Sequence, residues 1–185
     1  DLFFHVLILQ RKKEVEEINK NSNVIKSYAV KNLEYLENKL NNEIIPICDS
    51  QNARAMINLN PKSFKRVSHS EYIESNFYEG AITKLFDSCA SSSSIDKELG
   101  IKKYWLVDID CKNIEVFRKV QSIVNLCEPI EPNLQKVKGF TNSKNGYHIY
   151  TIPFNLKTFE DYKVNSKDFE QVEVKKDCLT NLYIP

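Results

Sequence analysis

Glycine is scarce in this sequence, four residues in 185, and proline contributes only six. That excludes collagen-like repeats and linker-like character. None of the five cysteines (Cys48, Cys89, Cys111, Cys127, Cys178) forms a CxxC pair, and no Cys/His cluster has zinc-finger spacing. Reduced thiols, partly in the core of a cytoplasmic protein, are the expectation. The apolar stretch Leu2–Leu9 is about one strand long, far short of the roughly 20 residues of a membrane span. A basic-acidic run, Arg11–Glu17, follows it instead of a cleavage site, so no signal peptide is expected. Net charge is nearly absent too: 26 Lys+Arg against 25 Asp+Glu leave +1, which excludes a strongly basic nucleic-acid coat and an acidic solvating tail. There is no internal repeat, and Ala90–Ser94 is the one low-complexity stretch, expected as a loop.

What is present is the material of a core. Hydrophobic residues make up 42% and aromatics 11%, so wholesale disorder is excluded, and 185 residues suit one main domain. The charge is also unevenly spread. Residues 54–66 carry 4 basic and no acidic residues, residues 101–150 carry 8 and 5, and residues 67–100 carry 2 and 6. Near-neutrality therefore conceals two basic blocks, compatible with a local phosphate-binding face and with weak, salt-sensitive association.

Hydrophobic patterning predicts strands over Leu2–Leu9, Val24–Val30, Ala53–Asn60, Tyr104–Asp110, Lys136–Asn142, Tyr147–Ile152, Gln171–Val174 and Thr180–Pro185. In Ala53–Asn60 the alternation puts Arg54 on the polar face of a half-buried strand stopped by Pro61. Glu14–Asn23 reads as a turn or short helix. Helical spacing covers Lys31–Leu40, Ser63–Cys89 with a break allowed at Gly80, and Asn113–Cys127 with Ile114, Phe117, Val120, Val124 and Cys127 on one face. Helices alternating with several adjacent strand pairs predict an α+β (mixed α/β) fold, one layer of helices over a sheet with an antiparallel component.

Three local features could carry chemistry. Asp108-Ile109-Asp110 ends an apolar strand, and period 2 sets both carboxylates on one face, roughly 6–7 Å apart. Two acids so placed either repel across a cation site, for which oxygen-ligated divalent ions are the usual answer, or mark a strand running out into solvent with salt bridges to Lys112 and Lys103. Thr141–Tyr150 (TNSKNGYHIY) contains a polar turn, Ser143, Lys144, Asn145 and Gly146, ahead of His148 on a strand. Hydroxyl, ammonium and backbone N–H groups in such a turn can hold a phosphate; the alternative is a plain hairpin with a hydrogen-bonded histidine. The third feature is the basic block, Arg54 followed by Asn60-Pro61-Lys62-Ser63 entering a helix that Ser63 can cap. It reads as an anion site or simply as a capped helix with solvated lysines.

Taken in order, MINLNPKS (56–63), WLVDID (105–110), SKNGYHIY (143–150) and DCLTNLYIP (177–185) resemble the archaeo-eukaryotic primase superfamily, including the primase-polymerases of phages and plasmids. The resemblance covers about residues 50–185, with residues 1–50 as an N-terminal strand-helix part of the same domain. It implies an RRM-like, palm-type sheet with helices on one face. It further implies a nucleotidyltransferase that uses two divalent cations, Mg2+ or Mn2+, to join nucleoside triphosphates to a nucleic-acid 3′-hydroxyl. By carry-over, Asp108, Asp110 and Asp177 would be metal ligands. His148 with Ser143–Gly146 would meet the triphosphate, and Lys62 is a further phosphate-binding candidate. Arg54 as a phosphate neutraliser is an inference from its charge and strand face. The partners implied are nucleoside triphosphates, a DNA template or primer and a helicase or other replication protein, without a membrane. Lys144 departs from the family, which usually has a small residue there.

Two other readings stand beside this one. Asp110-Cys111-Lys112 is formally a D-x-K, so a PD-(D/E)xK-like metal-dependent nuclease with Asp87 or Glu79 as upstream acid is one. An inactive relative or nucleic-acid-binding module, with nine tyrosines able to stack on bases, is the other.

Overall fold

The computed structural model describes residues 2–12, 21–75, 82–92, 103–131, 133–164 and 169–185. The chain divides into two compact units, Asp1–Ile101 with Leu179–Pro185, and Lys102–Cys178. The class is the expected α+β, but two antiparallel sheets replace a single one.

In the first unit β1 (Leu2–Arg11) is central. It pairs antiparallel with β2 (Ser22–Val30) on one side and with β3 (Arg54–Asn58) on the other; β9 (Leu179–Tyr183) adds to β3, and the two-residue β4 (Lys62–Ser63) meets the start of β1. The continuous apolar run of β1 follows from burial on both faces. Val6 and Ile8 pack with Ile44, Cys48, Ala53 and Ala55, under α1 (Leu33–Lys39) and α2 (Ile45–Gln51). Phe3 packs with Val67 of α3 (Phe64–Ser75) and with Leu85 and Cys89 of α4 (Ile82–Ser92). One π-helical turn, Leu40–Ile44, joins α1 to α2, immediately before Pro46, whose ring cannot donate an amide to the preceding turn.

The second unit runs β5 (Trp105–Ile109), α5 (Ile114–Leu126), β6 (Val137–Asn142), β7 (Tyr147–Thr151), α6 (Leu156–Val164), β8 (Val172–Lys176), with strand order β6-β7-β5-β8 and every neighbouring pair antiparallel. Val107, Ile109, Ile149 and Val172 share one face and form a core with Val116, Phe117, Val120 and Val124 of α5 and Phe159 of α6. Alternation along the strands turns the other face to Leu106, Asp108, His148, Tyr150, Glu173 and Lys175.

Several expectations change in detail. β3 is buried on both faces, so Arg54 is 8% exposed and not on a solvated side. Ile114, expected on the buried stripe of α5, is 45% exposed, because the helix begins there and its first turn overhangs the sheet. The helix predicted over 63–89 is two helices, and Gly80 lies outside the described residues. Ala90–Ser92, expected in a loop, close α4, and the rest of that stretch lies outside the described residues, as does most of Glu14–Asn23. Helices α2 and α6 were not anticipated. A signal for α6 was available: Asn155 accepts hydrogen bonds from Lys157 N and Thr158 N at 3.0 and 3.4 Å, an N-cap ahead of Leu156 and Phe159 at helical spacing. Among the described residues no helix is long and apolar enough to cross a membrane, and all five cysteines are free.

Candidate functional site

The register of the second sheet draws one row across four strands. Thr141 on β6 faces His148 on β7, His148 faces Asp108 on β5, and Asp108 faces Glu173 on β8. The side chains of such a row stand on one side of the sheet, close enough for cross-strand contact. Asp108 is 9% exposed and His148 7%. His148 Nε2 stands 3.3 Å from Asp108 Oδ1, and Lys175 Nζ donates to Asp108 Oδ2 at 2.6 Å. The same ammonium reaches Glu173 Oε2 at 3.3 Å. Lys175 thus bridges two carboxylates of adjacent strands.

Electrostatics follow from this geometry. The His148 imidazole is the largest influence lowering the Asp108 carboxyl, burial opposes it and Lys175 assists, with the result that the group is held at about 2. Burial works against the Lys175 ammonium, but the Asp108 and Glu173 carboxylates outweigh it and raise its pKa. Cys178, near both, is pushed up to about 11 chiefly by burial, which keeps this thiol protonated and unreactive at neutral pH.

The turn between β6 and β7 is packed onto the end of β5. A Cβ on Gly146 would fall 1.9 Å from the Ile109 carbonyl oxygen and 2.7 and 2.8 Å from Cys111 O and N, so only glycine allows this approach. Ser143 N donates to Gly146 O at 2.9 Å, and Ser143 Oγ accepts from Gly146 N at 3.0 Å. The Ser143 hydroxyl and the Gly146 amide are therefore committed to the turn itself, while Lys144 and Asn145 are exposed at its tip. The two unusual motifs of the sequence, Asp108–Asp110 and Ser143–His148, form one site.

Asp110 is one residue past β5; its N–H donates to Gln171 O at 2.9 Å, which extends the pleat and keeps it on the Asp108 side, exposed. Asp177 is elsewhere. Lys176 pairs with Trp105, so Asp177 leaves β8 level with the other end of β5, six residues and about 20 Å of strand from the Asp110 level. It adopts φ 52°, the left-handed conformation that a short polar side chain tolerates. The acid that the register sets beside Asp108 is Glu173, which reading the sequence overlooked. Its signal was the alternation of VEVK (172–175), apolar toward the helices and charged toward Asp108.

Arg54 and Lys62 belong to the first unit. Lys62 is fully buried and Arg54 nearly so, both with interactions inside the protein, so neither is a solvated cation. Burial and then the neighbouring Arg11 lower the Arg54 guanidinium. Ser63 Oγ accepts from Arg66 N at 3.5 Å, a long version of the expected cap. Of the residues in the nuclease reading, Lys112 is exposed beyond the end of β5, Asp87 accepts from buried His5 Nε2 at 3.1 Å, and Glu79 lies outside the described residues.

Among the described residues no group of three or more His, Cys, Asp or Glu side chains converges as a metal cage. The donor chemistry still fits a hard divalent ion in part. Two carboxylates, Asp108 and Glu173, converge on a single cation, the Lys175 ammonium, and the buried Asp108 Oδ1 accepts no aligned hydrogen bond. Compared with known proteins, the chain matches no family model, no curated protein and no solved structure.

Proposed function

We propose that the Lys102–Cys178 unit is the palm of a primase- or polymerase-like nucleotidyltransferase, a domain of the archaeo-eukaryotic primase type acting on nucleoside triphosphates and a DNA template or primer. One observation carries the reading. The register sets Asp108 between His148 and Glu173, with the Ser143–Gly146 turn packed on the backbone of Ile109 and Cys111. The order β6-β7-β5-β8 on a β-α-β-β-α-β chain supports it as well, since an RRM-like sheet is wound this way.

The residues divide the work by chemistry. Lys144 and Asn145, exposed at the turn tip, meet the triphosphate as a solvated cation and an amide donor. His148 fixes the Asp108 carboxylate at 3.3 Å and keeps it ionised. Asp108 and Glu173, with Asp110 at the open end of the strand, would hold Mg2+ or Mn2+, which when bound supplies positive charge against the developing charge on phosphorus. The 3′-hydroxyl oxygen forms the new P–O bond, the α–β bridging bond breaks, pyrophosphate leaves with the bonding pair, and the hydroxyl proton passes to solvent.

Primer extension and de novo dinucleotide synthesis with Mn2+, wild type beside Asp108→Ala and Asp110→Ala, test the proposal. Product from wild type alone supports it; no product from wild type overturns it. A second reading, a nucleic-acid-binding module or inactive relative, draws on the neutralisation of Asp108 by Lys175 and His148. It predicts DNA binding without Mn2+ binding in calorimetry.

A further inference from the structure

Lys175 occupies a distinctive position. Its Nζ lies 2.6 Å from Asp108 Oδ2 and 3.3 Å from Glu173 Oε2, on the strand face that also holds His148. Two carboxylates brought side by side by strand register repel each other, and a cation between them removes the repulsion. Asp108 is nine-tenths buried, and its Oδ1 accepts no aligned hydrogen bond, so the carboxylate retains coordinating capacity that the protein does not use. The Lys175 stem is flexible and its side chain is 36% exposed, so the ammonium can swing to solvent without unpacking the core.

Resting on the nucleotidyltransferase reading, we propose that Lys175 is an intramolecular stand-in for the divalent cation. Its ammonium holds Asp108 and Glu173 together in the metal-free protein and must leave as the ion enters. Metal binding is thereby a cation exchange and not the filling of a vacant acidic pair. The exchange sets a threshold concentration of Mg2+ or Mn2+ below which the acids stay closed on lysine. Lys175 is a positioning residue in this scheme, not a catalytic one.

The test uses the full chain and Mn2+ alone as probe. Titration calorimetry of Lys175→Gln is expected to give Mn2+ binding about tenfold tighter than wild type, which corresponds to ~1.4 kcal/mol. Lys175→Arg, which keeps a bridging cation, is expected to stay within about twofold of wild type, as the same exchange is needed. In EDTA the glutamine variant melts below wild type, and Mn2+ raises its midpoint more than it raises that of wild type. Wild-type or weaker Mn2+ affinity in Lys175→Gln overturns the inference. If wild type nonetheless binds Mn2+ and extends primers, only this inference falls. If neither protein binds Mn2+, it falls together with the reading beneath it. A measurement on unaltered protein covers misfolding of the variant: the Lys175 ammonium signal in 15N NMR must shift or exchange-broaden at saturating Mg2+, and an unchanged signal overturns the exchange.

Discussion

Gly146 lies against the last residue of β5 so closely that a Cβ would stand 1.9 Å from the Ile109 carbonyl oxygen. This contact fixes the Ser143–Gly146 turn to the strand that carries Asp108. Gly146→Ala must push the hairpin off β5 and is expected to cost about 1–3 kcal/mol, as overpacking does. Gly139→Ala is the control, because its Cβ would meet only Tyr150 Cδ2 at an ordinary 3.8 Å. Urea denaturation of both checks the contrast; equal stability of the two variants contradicts the packing described.

The Asp108–Lys175 contact is expected to couple the two residues energetically. Asp108→Ala leaves a partly buried ammonium and should destabilise by about 1–3 kcal/mol. The double variant with Lys175→Ala should lose less than the sum, with a coupling of about 1 kcal/mol in a double-mutant cycle. Additive losses would mean that the bridge has no energetic content in solution.

Glu43 gives the first unit an acid-sensitive contact. Lys26 first, then Lys39, hold its carboxyl at about 2 against an ordinary 4.5, with Tyr28 also donating. A depressed folded-state pKa contributes stability that is present above the unfolded value and lost as pH falls through the folded one. The stability difference between wild type and Glu43→Gln should therefore be constant above pH 5 and shrink between about 4.5 and 2. Denaturation midpoints across that range, at low salt, check it; a difference that grows on acidification contradicts the sign.

Asn113 starts α5 directly after the Asp108–Asp110 segment, its Oδ1 accepting from Glu115 N at 2.9 Å. Removing this N-cap in Asn113→Ala is expected to cost about 1 kcal/mol, and the melting midpoint to fall by about 2–4 °C. Asn113→Asp, which keeps the acceptor and adds charge at the helix N-terminus, should hold the wild-type midpoint.

The strands were largely legible because period-2 patterns and β-branched runs report burial directly. LFFHVLIL reads as a strand in isolation and is one, and WLVDI likewise. Helix α6 was less so, since Phe159 is its one fully buried side chain and the polar LKTFEDYKV resembles a surface segment. Arg54 misled for a related reason. Alternation gives the two faces of a strand but not what covers each, and here both are covered.

By itself the sequence determined the α+β class, the positions of most strands and the two motifs that carry the candidate chemistry, because these depend on local periodicity and residue type. Only the tertiary structure decided which acids are neighbours. Strand register is a long-range property, set by hydrogen-bond pairing between segments some 65 residues apart. It placed Glu173 opposite Asp108 and Lys175 between them, and it carried Asp177, the acid that linear order suggested, to the far end of the strand.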